Sequence, residues 1–155
     1  MFSSDIETIL SEVEENNKNG AAELAAKATE VLTSLDISGK SKEAVLEEIC
    51  RLGSRLIHAQ PKMAPIVSLV NGLLLQASEA HADGLPDNYI NQYCRRFLDN
   101  LRADEEKLYC KAAGVLRDHD TVLTHSASSS VRKTLLAAHK AGKDGLYVEN
   151  WVNRK

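Results

Sequence analysis

The chain has 155 residues, 43% of them hydrophobic, which is enough for one ordinary core, or one domain and part of another, but not for two large domains. Its 19 Lys and Arg stand against 22 Asp and Glu, a net charge of -3 spread along the chain. That balance disfavours a basic stripe for phosphate backbones and hence direct nucleic-acid binding.

Ser4 and Glu7 have capping-box spacing, and Ile6, Ile9, Leu10 and Val13 recur at helical intervals, predicting a first short helix that ends by Asn16 to Gly20. From Ala21, the row Leu24, Ala28, Val31, Leu32 and Leu35 predicts a second helix, alanine-rich and suited to close helix packing. After a turn at Asp36 to Lys40, Ser41 is placed to cap a third helix with Val45, Ile49, Leu52 and Leu56 on its inner face and Gly53 at a tight crossing. Pro61 and Pro65 are expected to break the chain. A fourth helix follows, with Ile66, Val67, Leu69, Val70, Leu73 and Leu74 around much of its circumference, so it should be central to a bundle. Beyond Ala82 to Pro86, the sequence from Ile90 to Leu116 keeps a helical period for about eight turns, predicting one long fifth helix.

At Asp118-His119-Asp120 the character changes. Thr121 to Thr124 is short, β-branched and apolar, as in a buried strand; Ser126 to Ser130 supplies a turn and helix cap; Val131, Leu135 and Ala138 continue as a helix. Ala141 to Gly145 stops that helix, and Leu146-Tyr147-Val148 reads as a second strand. Strand, helix and strand have the order and lengths of a βαβ unit. The fold class expected is therefore mostly α: a helical bundle over 1–118, then the first βαβ unit of an incomplete Rossmann-like α/β domain over 119–155. Parallel sheets occur almost only with both faces covered, so this unit is expected to need a protein partner, self-association or further chain to complete it. Trp151, just beyond, is expected to pack against something.

The three cysteines, Cys50, Cys94 and Cys110, are odd in number, widely spaced and in helical context, so they read as core or half-buried residues of a reducing compartment. With neither a basic region followed by an apolar run at the start nor a membrane-length apolar stretch, the expected location is the cytoplasm, with no membrane contact. Asp118, His119 and Asp120 beside His125 lack metal-ligand spacing, and neither a metal nor a cofactor is expected. Asp104 to Lys107 reads as the solvated face of the fifth helix.

The segment with functional character is the turn from Thr124 through His125 and Ser126 to Ser128 and Ser129. A hydroxyl-rich turn between a strand's carboxyl end and a helix N-terminus is where open α/β sheets receive ligands, because free N–H groups and the helix dipole favour an anion, phosphate above all. The competing account is that the serines only cap the helix and that His125 bonds the backbone.

The run Asp120-Thr121-Val122-Leu123-Thr124-His125-Ser126-Ala127-Ser128-Ser129-Ser130-Val131 resembles the domain-junction signature of the regulatory subunits (alpha, beta, delta) of eukaryotic translation initiation factor 2B and their archaeal and bacterial relatives. Methylthioribose-1-phosphate isomerase and ribose-1,5-bisphosphate isomerase share that superfamily. Two stretches agree in order: Gly20 to Ala25 resembles the family's second helix, and His58 to Pro61 with Pro65 to Asn71 resembles its Arg-Pro segment and apolar helix. The resemblance implies a helical N-terminal domain before a Rossmann-like one, with about half of the usual chain absent. It also implies that Asn19 and Gly20, with the turn residues, belong to a phosphate site. Departures bear on activity. Ser126 stands where the isomerases carry a catalytic Cys, their catalytic Asp would fall beyond Lys155, and Asn19 and Gln60 replace arginines. A serine hydroxyl cannot readily take over thiol acid/base work, and the lost guanidinium groups are the donors best shaped for phosphate. The implied role is a non-catalytic regulatory or binding protein with a protein partner and a phosphorylated sugar or nucleotide as ligand. The alternatives are one part of a sugar-phosphate aldose-ketose isomerase, or a plain helical interaction module.

Overall fold

A computed structural model of the chain describes residues 4–15, 20–80, 85–124 and 128–150. Along them run α1 (Ser4–Glu14), α2 (Ala21–Thr33), α3 (Lys42–Ala59), α4 (Ala64–Glu79), α5 (Tyr89–Val115), β1 (Thr121–Thr124), α6 (Ser129–Lys140) and β2 (Tyr147–Asn150). The chain divides into two compact units, Met1–Asn100 and Leu101–Lys155, and residues of α5 belong to both. No helix among the described residues is long and apolar enough to cross a membrane.

The core of the first unit follows from the spacing of its leucines and isoleucines. Leu10 and Val13 of α1, Leu24, Val31 and Leu32 of α2, and Ile49, Leu52 and Leu56 of α3 are all fully buried. The α1 and α3 sets recur at three or four residues, as does the α2 set once the buried Ala28 is included between Leu24 and Val31, with Leu32 beside them, so each helix carries one stripe. α4 packs against both α2 and α3 and buries Ile66, Leu69, Val70, Leu73 and Ala77. Its other apolar residues are less covered, and Leu75 is exposed, so α4 is central by contact and not by burial all round. Pro65 does not break the chain: it lies at the start of α4, where a missing N–H removes no helical bond.

Caps define several ends. Ser41 precedes α3 and its side chain accepts from the Ala44 N–H at 3.3 Å, as the sequence predicts. The α4 end is held from elsewhere: Lys42 Nζ donates to the carbonyls of Ser78 at 2.7 Å and Ala80 at 2.5 Å. Of the cysteines, Cys94 is buried but Cys50 and Cys110 are exposed, contrary to the expectation from pattern. Both occupy the outer side of an amphipathic helix, a position that a small residue fills without penalty.

In the second unit β1 and β2 pair in parallel, Thr121 opposite Tyr147 through Thr124 opposite Asn150, with α6 as the crossover. The chain thus carries a helical bundle followed by a βαβ unit of Rossmann-like type. α6 stops at Gly142, whose φ of 84° lets Gly142 and Lys143 donate back to the carbonyls of His139 and Ala138. β1 differs from the buried strand expected: Thr121 and Leu123 are exposed while Val122 and Thr124 are half-buried. One crossover helix covers one sheet face, and the strand's alternating side chains divide between that face and solvent.

Candidate functional site

The turn between β1 and α6 is built from the ends of two regular elements. Thr124 is the last residue of β1, level with Asn150 of β2, so both strands end together at the carboxyl edge of the sheet. Ser128 follows in extended conformation and caps α6: its carbonyl accepts from the Arg132 N–H at 3.0 Å, and its hydroxyl accepts from the Val131 N–H at 3.4 Å. Thr124 and Ser128 are half-buried, and Ser129, the first helical residue, is exposed. The first turn of a helix directs N–H groups outward without partners inside the helix, so this end favours negative charge. His125 and Ser126 lie outside the described residues, as does Trp151.

The other candidate residues belong to the first unit. Gly20 precedes α2 at φ -72° and its carbonyl accepts from the Leu24 N–H at 3.0 Å; it contributes no side chain to that end. Asn19 lies outside the described residues. Gln60, at the end of α3, donates from Nε2 to the Val13 carbonyl at 2.8 Å and so ties α3 to α1.

At the opposite, amino edge of the sheet, Asp118-His119-Asp120 forms a clamp. Asp118 Oδ1 accepts from the Asp144 N–H at 3.1 Å, Asp120 Oδ2 accepts from the Arg117 N–H at 2.8 Å, and the His119 N–H donates to the Asp144 carbonyl at 3.0 Å. The Tyr147 N–H donates to the Asp120 carbonyl at 3.1 Å and starts the strand pairing. His119 takes a left-handed conformation, φ 66°, and its ring lies against Gly145, where a Cβ would meet Nδ1 at 2.2 Å. These carboxylates are occupied by backbone, and β1 separates them from Thr124 by roughly 13 Å, four residues at about 3.3 Å each. Sequence reading missed this clamp. Its available signal was Gly145 after Asp144, a turn residue pair opposite another Asp-rich turn.

A second unforeseen feature is an apolar groove of about 420 Å³ with Leu108, Val115 and Leu116 on one side and Val131 and Leu135 on the other. α5 and α6 are also joined by Lys133, whose Nζ lies 3.3 Å from Glu105 Oε2 and 5.1 Å from the centre of the Tyr109 ring. Tyr109 and then Glu105 hold the ammonium above the ordinary lysine pKa. Among the described residues no cluster of His, Cys, Asp or Glu is arranged to hold a metal ion.

Comparison with known proteins places these features in a wider setting. The family model described as the initiation factor 2 subunit family matches residues 17–148. A Pyrococcus abyssi protein named as translation initiation factor eIF-2B subunit 2-like is 29% identical over 137 residues, 88% of this chain and 45% of that protein. The solved structure of translation initiation factor eIF-2B from Pyrococcus horikoshii OT3 is 21% identical, with a TM-score of 0.79 over 95% of this chain and 50% of that one. A chain of the tetrameric eIF2B-beta2-delta2 complex from C. thermophilum is 16% identical, with a TM-score of 0.74 over 96% of this chain and 51% of its own. The chain therefore spans about half the length of these relatives. At such identities the solved structures speak to the fold alone.

Proposed function

This chain belongs to the initiation factor 2 subunit family, and from that premise we propose that it is a non-catalytic regulatory or binding member, working through protein contacts and holding a phosphorylated small ligand at the turn between β1 and α6. The observation that carries the ligand reading is the junction itself: Thr124 closes a parallel strand and Ser128 caps a helix of 12 residues directly after it. Ligands of open α/β sheets lie at that edge, where the helix end supplies N–H donors and a positive field. Ser126, in the place of the isomerases' Cys, supports binding without turnover. Gln60 stands where the resemblance carries an arginine, and its amide, bonded to the Val13 carbonyl, fits a structural use of that position.

Protein contact is supported by the second unit. Leu123 and Tyr147, each 60% exposed, share one face of the parallel pair β1–β2, an apolar surface of the kind that marks an interaction site. That a similar chain is found in a tetrameric complex supports the same reading.

The ligand reading is tested by melting the protein with ribose 1-phosphate, a nucleoside monophosphate or inorganic phosphate. Ligand-linked stabilisation by several degrees is expected, since saturation at 100 times Kd contributes about 2.7 kcal/mol. Ser129→Asp should remove the shift without lowering the unliganded melting temperature, because a carboxylate in the first turn suits the helix dipole yet repels an anion. No shift with any of these compounds sinks the ligand reading, and conversion of the ribose phosphate to a ketose would replace it with the isomerase reading.

A further inference from the structure

α6 has the sequence SSVRKTLLAAHK, which holds Arg132, Lys133, His139 and Lys140 and no carboxylate. In a chain with more acids than bases this is a local excess of positive charge. Part of it has a local cause. Lys133 is bound to Glu105, and His139 and Lys140 lie in the last turn, where the carbonyl end of the helix favours cations. Arg132 has no such cause, since it lies close to the positive end of the helix dipole.

Placement around the helix gives these charges a common direction. At about 100° per residue, Ser129, Arg132, Leu136, His139 and Lys140 fall within roughly a third of the circumference, and all five are exposed. Leu136, 51% exposed, occupies the middle of this arc, with Arg132 one turn before it and Lys140 one turn after. The other side is where α6 packs, with Ala138 buried and Val131 and Leu135 lining the groove. Among the described residues Arg132, His139 and Lys140 make no ion pair.

We infer that this face of α6 is a docking surface for an acidic segment of a protein partner, one that sets Asp or Glu side chains against Arg132 and Lys140 and an apolar side chain over Leu136. Charge complementarity selects the occupant, and the central leucine gives it an anchor. A nucleic acid fits less well: the face has no Phe, Tyr or Trp for base stacking and far fewer cations than the roughly 6 to 10 phosphate contacts that give substantial affinity. A lipid surface fits less well too, because one exposed leucine is a small apolar footprint. The inference is independent of any ligand at the β1–α6 turn.

The test is a titration of the isotope-labelled full chain, followed by NMR, with a short synthetic peptide of glutamates spaced around leucine. Single-stranded RNA and phosphatidylglycerol vesicles form parallel arms. With the peptide, amide shifts should concentrate at Arg132, Leu136 and Lys140, and affinity should fall about tenfold for Arg132→Glu with Lys140→Glu. Leu136→Ala should weaken it several-fold, and Lys140→Gln serves as a milder variant should the double reversal disturb folding by circular dichroism. The inference fails if this face does not respond to the peptide, if neither charge variant alters affinity, if RNA or vesicles bind this face more tightly than the peptide, or if self-association of the chain accounts for the shifts.

Discussion

A Cβ atom on Gly53 would lie 2.3 Å from Cγ1 of Val70, so α3 and α4 approach at this point more closely than any side chain on residue 53 would allow. Val70 is itself buried, and the chain has no slack there. Gly53→Ala is expected to destabilise the protein by about 1–3 kcal/mol through overpacking, partly offset by the better helix propensity of alanine, about 1 kcal/mol. Adding Val70→Ala should recover part of the loss. Denaturant midpoints of the single and double variants measure it, and a stabilised Gly53→Ala would contradict the close crossing.

The cysteines divide by accessibility. Cys94 is 2% exposed and burial pushes its thiol up to about 12, whereas Cys50 and Cys110 face solvent. In the folded protein near neutral pH, Cys50 and Cys110 should react readily with a maleimide and Cys94 only in denaturant. Mass spectrometry of alkylated peptides reads this directly; native labelling of Cys94 at the rate of the others would overturn the packing described.

The same burial gives a pH dependence. Because the folded Cys94 thiol titrates above its ordinary value of 9.0, its contribution is fully present below that value and is lost as pH rises toward about 12. Tyr89 and Tyr93, raised by burial in the same direction, add the same sign. Stability should therefore fall across the alkaline range, by up to about 1.4 kcal/mol per pH unit for Cys94, with the two tyrosines adding in the same direction. Cys94→Ala should flatten the slope relative to the parent, and an unchanged slope would exclude the thiol as its source.

Gly145 is required twice over, by its φ of 67° and by the His119 ring. Gly145→Ala should cost about 1–3 kcal/mol from left-handed strain and the clash, and His119→Gly in the same chain should relieve the second part. Hydrogen exchange at Tyr147 and Val148 is the sensitive readout, since the Tyr147 N–H donates to Asp120 beside this contact. Unaltered protection there would mean that the contact does not hold β2.

Ser128→Ala should lower stability by about 0.5–1 kcal/mol, the small end of the range for a cap, because its bond to the Val131 N–H is long at 3.4 Å. Ser129→Ala, which leaves that bond intact, should change little. Thermal melts of the two variants separate capping from ligand contact: equal losses would remove the assignment of Ser128 as the cap.

The bundle was legible because its helices repeat apolar residues at one period, and Ser41 and Ser128 sit where caps are read. Exposure was harder to see. Thr121 to Thr124 looks like a buried strand because β-branched composition reports propensity, while burial depends on how many layers cover the sheet. Cys50 and Cys110 were misjudged for a related reason: a small residue on an amphipathic helix satisfies either face. The elements that flank the turn were legible from strand, hydroxyl run and helix in succession, but the His119–Gly145 contact joins positions 26 residues apart, which local pattern does not pair.

The clamp also bears on the order in which the second unit assembles. The Asp144 N–H and the Asp118 carboxylate are 26 residues apart, and much of the intervening chain coils into α6, which shortens the loop to be closed. Closing the parallel pair is still a non-local step, and the crossover helix eases it by carrying the later turn back toward the earlier one along its own length.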